Sequence, residues 1–135
     1  ETMINMFDEI STDDNEIQIS IPLYECNNPY VSYNFSKGKF KSLTQSRENQ
    51  IMPEKGLSDA GLFTFQTNTL LEVLANKEYK NKSFGAQTKE SNFLQFIECA
   101  LLDGYKYKIV KIDKDEAPGI NTPEEAEKVK VELEK

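Results

Sequence analysis

Phe93, Phe96, Ile97, Ala100 and Leu101 stand at i, i+3, i+4, i+7 and i+8, one apolar stripe along a helix, and Gly104 follows where helices commonly end in a left-handed residue. Directly beyond, residues 105–112 are β-prone, with Tyr105, Tyr107 and Ile109 on one face. A helix that hands over to a strand across one glycine is an α/β connection, which excludes all-helical and all-β architectures at once.

The rest of the chain is read around that step. Met3, Met6, Phe7 and Ile10 lie at helical spacing, and Ile17, Ile19 and Ile21 alternate with polar residues as on a half-buried strand, whose continuation Pro22 restricts. Residues 30–35 and 40–45 flank the turn formers Ser36-Lys37-Gly38-Lys39 and predict a hairpin. Residues 46–58 read as a polar, functional loop, and 60–65 as a short buried central strand in which Gly61 marks a bulge or close backbone approach. Thr69 and Glu72 form a capping-box pattern that predicts one helix to about Tyr79. At the other end, Thr122, Pro123 and Glu125 predict a capped final helix. The expected order is α-β-β-β-β-α-α-β-α, a mixed α/β unit over residues 1–135.

Composition narrows what such a unit does. A formal charge of −7 opposes binding to a phosphate backbone, so nucleic acid is not an expected partner. No run of 18 apolar residues and no basic-then-apolar leader occurs, so the chain is expected to be soluble and cytoplasmic, with no membrane partner. Cys26 and Cys99 are far apart and read as small buried hydrophobes. With no histidine, Ser-His and Cys-His nucleophile pairs and histidine metal sites are excluded, which leaves carboxylates, amides, Lys, Arg and hard cations. The glycines are isolated, so no phosphate-cradling loop is present.

Several polar residues at strand ends and loop starts are candidates for ligand contacts. Asn121, one residue before the final capped helix, either shapes the turn or offers a hard oxygen to Mg²⁺. Asp59 is either a strand-end turn residue or an acceptor for ligand hydroxyls. Gln45, Arg47 and Glu48 leave the hairpin together; Arg47 either forks onto a phosphate or belongs to a solvated loop. Glu90 is explained by the dipole of the helix it precedes, without invoking function.

Together these positions resemble a known family. Asn28-Pro29-Tyr30, Gln45-Ser46-Arg47-Glu48, Ser58-Asp59-Ala60-Gly61-Leu62-Phe63, Glu90-Ser91-Asn92-Phe93 and Pro118-Gly119-Ile120-Asn121-Thr122-Pro123 occur in the order found in sugar-nucleotidyltransferases, notably N-acetylglucosamine-1-phosphate uridylyltransferases and similar pyrophosphorylases. The resemblance covers nearly the whole chain but only the second half of that family's Rossmann-like, GT-A type catalytic domain. It implies an NTP plus sugar 1-phosphate reaction that yields a nucleotide sugar and pyrophosphate. It further implies that Asn121 is a Mg²⁺ ligand partnered by an Asp outside this chain, and that Gln45, Arg47, Asp59, Gly61 and Glu90 contact the acceptor. The nucleotide-binding half is expected to be separate, so these 135 residues alone are expected to be inactive and to associate with that half or with themselves.

Four positions depart from the family pattern: Gln45 replaces a frequent Glu, Arg47 a frequent Lys, Asp59 a usual Asn and Val31 a frequent Gly. These changes also suit a phospho-alcohol acceptor of the cytidylyltransferase type. Val31 and Gln45 equally suit a non-catalytic interaction or regulatory module that kept the fold and lost the chemistry.

Overall fold

The computed structural model describes residues 17–116 and 122–134. Its elements run β1 (Ile19–Asn27), β2 (Val31–Ser36), β3 (Lys39–Gln45), β4 (Lys55–Asp59), β5 (Thr64–Phe65), α1 (Thr67–Ala75), α2 (Lys77–Lys82), α3 (Phe93–Leu102), β6 (Tyr107–Lys111) and α4 (Pro123–Leu133), with a 3-10 turn at Ser46–Glu48. The chain is α/β, with a mixed sheet and flanking helices. The expected helix over 3–10 and the residues Gly119 and Asn121 lie outside the described part.

β1 is the axis of the main sheet. It pairs parallel with β6 along one edge and antiparallel with β4 and β5 along the other. It runs straight through Pro22, where the sequence predicts a restriction, and the hydrogen-bond directions supply the reason. Leu23 O accepts from Ile112 N at 3.1 Å, so the polar groups of Leu23 face β6 and those of Pro22 face the other edge. On that edge the ladder is interrupted: three steps along β1, from Leu23 to Ser20, are matched by five on the partner, from Asp59 to Thr64. The missing N–H of Pro22 therefore falls where no partner strand needs it.

That interruption corrects the reading of 60–65 as one buried central strand. Asp59 Oδ1 accepts from Gly61 N at 2.7 Å, and Gly61 adopts a φ of 71°, so an Asx turn lifts Ala60 and Gly61 out to solvent before pairing resumes. The long loop expected over 46–58 is shortened in turn, because 55–59 pair with the second half of β1.

The β2–β3 hairpin packs beside β4 and α3 as a separate two-stranded sheet. The free edge of β3 is closed by side chains. Phe40 N donates to Tyr107 Oη at 3.1 Å and Leu43 N to Glu98 Oε1 at 2.8 Å. Ile19, Ile21 and Leu23 meet Tyr33, Phe40 and Leu43 of the hairpin, Val73 of α1, Tyr79 of α2 and Phe96, Ile97, Ala100 and Leu101 of α3 in one buried cluster.

The single helix expected from Thr69 to Tyr79 is two. Asn76 adopts an extended conformation after α1, and its side chain accepts from Tyr79 N at 3.2 Å to start α2. Thr69 is buried and bonded by Gln18 Nε2, so the Thr69–Glu72 box does not form. α3 ends as expected: Gly104 has a φ of 92°, and Tyr105 N bonds back to Ala100 O at 3.2 Å in the Schellman arrangement. The terminal capping box also forms, with Thr122 N donating to Glu125 Oε2 at 3.1 Å and Glu125 N to Thr122 Oγ1 at 3.2 Å. Among the described residues no helix is long and apolar enough to cross a membrane.

Candidate functional site

Residues far apart in sequence converge where β3 ends. Gln45 closes that strand and is 1% exposed; its side-chain Oε1 accepts from Asn92 Nδ2 at 2.6 Å. Asn92 in turn uses its own Oδ1 to accept from Leu94 N at 3.0 Å and so caps α3. The Ser46–Glu48 turn then throws Arg47 outward and Glu48 inward. Arg47 Nη2 lies 3.3 Å from Glu90 Oε2, and its Nε lies 3.8 Å from Glu48 Oε1. Thus Gln45, Arg47 and Glu90 form one neighbourhood, built from the end of the hairpin and the loop that precedes α3.

Glu48 and Asn92 complete this neighbourhood, although sequence reasoning gave neither a role of its own. Glu48 is only 8% exposed, and its carboxylate accepts from Gln87 N and from Thr88 Oγ1, both at 2.8 Å. The Gln87 N–H holds the carboxyl below its ordinary value of 4.5, with Thr88 and the Arg47 guanidinium adding to the effect. A carboxyl with a depressed folded pKa stabilises the fold above its unfolded pKa and loses that contribution as pH falls through the folded one. The stability advantage of the wild type over Glu48→Gln is therefore expected to be full above about pH 4.5 and to shrink below it. Urea unfolding of both proteins across a pH series measures this; a pH-independent difference would remove the ionised carboxylate from its assigned role.

The other predicted pair stands apart. Asp59 and Gly61 share the Asx turn, and no hydrogen bond or ion pair joins either to Gln45, Arg47 or Glu90 among the described residues. Asp59 Oδ2 is enclosed, and so is the nearby Tyr33 phenol oxygen; neither has a hydrogen-bond partner of good geometry. Burial, with the Asp59 carboxylate beside it, pushes the Tyr33 phenol far up. On the other side, burial and Cys26 raise Tyr24, to which Asp59 and Glu125 of α4 contribute. Asp59 and the first turn of α4 therefore act on one phenol. The Asp59 turn leads through Phe63, whose ring sits 5.6 Å from that of Phe93, to the start of α3. Only the chain around Asp59, not its Oδ2, is turned toward solvent.

Chemically, the first neighbourhood offers one guanidinium half exposed between two carboxylates. An incoming phosphate would exchange with Glu90, the more exposed of the two. Among the described residues no group of three or more Cys, Asp or Glu is placed to hold a metal ion. Cys26 and Cys99 are half-buried and free, and burial pushes both thiols up, which keeps them protonated and poor nucleophiles. A cleft of about 470 Å³ between α2 and α3 is lined in part by Tyr79, Lys82, Glu98 and Asp103, none of them a predicted site residue. Compared with models of protein families, with curated proteins and with solved structures, the chain matches none.

Proposed function

We propose that this chain is the acceptor-binding half of a nucleotidyltransferase that joins an NTP to a sugar 1-phosphate and releases pyrophosphate. The supporting observation is the meeting of Gln45 and Arg47, from one matched segment, with Asn92 and Glu90, from another, which reach one neighbourhood only through folding. In this reading the phosphate oxygen of the acceptor forms a bond to the α-phosphorus of the NTP as the bond to pyrophosphate breaks. Arg47 meets the acceptor phosphate, exchanging Glu90 for it. Gln45 acts by position rather than contact, since its side-chain oxygen is committed to Asn92. Mg²⁺, held by Asn121 and an Asp outside this chain, would neutralise charge on the phosphates.

The test is pyrophosphate release with Mg²⁺, NTPs and sugar 1-phosphates by the chain joined to the residues encoded before Glu1. Arg47→Ala is expected to raise KM for the acceptor by about tenfold to a hundredfold, the loss of one charged hydrogen bond, and Asn121→Ala to lower kcat. No release with any pair of substrates, or an unchanged KM in Arg47→Ala, would sink the proposal. One observation favours a second reading, a binding module without chemistry. The side-chain oxygen of the buried Gln45 is already bonded by Asn92 within the protein, as that of a residue kept for structure would be. Under that reading the joined protein binds a sugar phosphate yet releases no pyrophosphate.

A further inference from the structure

The loop between α2 and α3 is closed on itself. Gly85 N donates to Glu90 O at 3.0 Å, Lys89 N to Gly85 O at 3.1 Å, and Asn92 N to Ser83 O at 2.8 Å. Such closure fixes the shape of the loop but not its place against the hairpin. Its place is set from outside by Glu48, whose carboxylate reaches Gln87 N and Thr88 Oγ1. Burying an acid is costly unless every oxygen finds a donor, and here the donors come almost wholly from that loop. Gly85 is the counterpart. A Cβ built on it would overlap Glu48 Oε1 and Thr88 Oγ1 and come within 2.6 Å of Glu48 Cδ. The residue is buried, and its φ is not left-handed, so absence of a side chain here makes room for the Glu48 carboxylate and the Thr88 hydroxyl that bonds it, and does not serve a turn.

We propose that Glu48 is a positioning residue for the candidate site: seated in the space that Gly85 leaves open, it latches the 85–90 loop against the end of β3, so that Glu90 meets Arg47 and Asn92 meets Gln45. The latch rests on the acceptor-site reading for its purpose, though not for its existence. Arg47 is the charged group of the hairpin facing it, and Glu90 reaches it only through Arg47.

Amide hydrogen exchange at neutral pH, read residue by residue on the 135-residue chain, tests the latch directly. Glu48→Gln is expected to speed exchange of the Gln87 amide at least tenfold while Ile97 in α3 and Ile21 in β1 keep wild-type rates. Gly85→Ala is expected to do the same by expelling the carboxylate. Added to the Glu48→Ala/Thr88→Ala pair, where both side chains that the Cβ would overlap are gone, Gly85→Ala should change the Gln87 rate less than twofold. A glycine needed only for loop shape would show its full effect in both backgrounds, and that result overturns the latch. So does an unchanged Gln87 rate in Glu48→Gln.

Titration with N-acetylglucosamine 1-phosphate then tests the positioning role. The wild type is expected to bind, and Glu48→Gln to bind at least tenfold more weakly. Equal binding by the two, with Gln87 exchange accelerated, overturns the positioning role. No binding by the wild type overturns the acceptor reading instead, and the exchange pattern alone then decides the latch.

Discussion

Asn92→Ala is expected to destabilise the chain by about 2–4 kcal/mol, because two separate losses coincide at one side chain. The first is the cap of α3: Leu94 N would lose its acceptor, a loss of about 0.5–2 kcal/mol in comparable helices. The second is the amide bond to Gln45, whose carboxamide would stay buried without its donor, at about 1–3 kcal/mol. Asn92→Asp separates them. An aspartate caps as well as asparagine, and the Gln45 amide can turn to present its NH₂ to the new carboxylate. This variant is expected to lie within about 1 kcal/mol of wild type. Urea denaturation of the three proteins supplies the comparison. If Asp proves as damaging as Ala, the cap and the amide bond are not what Asn92 contributes.

Ile97→Ala should cost about as much or more, roughly 2–5 kcal/mol, by a different route. Ile97 has 0% exposure and belongs to the cluster that joins α3 to β1 and the hairpin. Alanine removes three carbons there and leaves a void, because backbone on all sides is held by sheet or helix and closes only partly. Phe93, one turn earlier on the same stripe, is 38% exposed and sits at the rim against Phe63, Phe65 and Phe96. Its truncation lets solvent in rather than making a cavity, so Phe93→Ala should cost less despite deleting a larger side chain. The denaturation midpoint should fall further for Ile97→Ala, with the slope unchanged for both. The reverse order would mean that the aromatic rim, not the stripe's centre, holds α3 in place.

The parts of this fold that were legible in the sequence are those fixed by neighbours in the chain. The stripe of α3, the Gly104 ending and the Thr122–Glu125 box all rest on contacts within a few residues. What could not be read rests on distant partners. Lys55–Asp59 carries little strand propensity and is made a strand by the second half of β1. Pro22 reads as a stop only until the direction of its missing N–H is known. The break at Asn76 interrupts an apolar pattern that looks continuous, because the cap belongs to the next helix.

The site divides in the same way. Arg47 and Glu90 were identified as separate candidates and do meet. Gln45 read as a residue that grips a ligand, whereas its partner is Asn92, 47 positions away. Glu48 looked like one more charge in a polar turn; only the return of the 85–90 loop onto it makes it a buried acid. A glycine at position 85 gave one local signal, but its meaning required knowing what lies opposite.

The closure of the β3 edge bears on how copies of this chain behave when crowded. An open strand edge is a template on which another extended segment grows, and β3 would offer one beside two phenylalanines, Phe35 and Phe40. Glu98 and Tyr107 occupy two of its N–H groups with side chains that no incoming strand can extend. The edge is thus covered only once α3 and β6, elements made long after the hairpin, have folded onto it. The newly made hairpin passes through an interval in which its edge is bare, and a chaperone or an early partner has its greatest opportunity there.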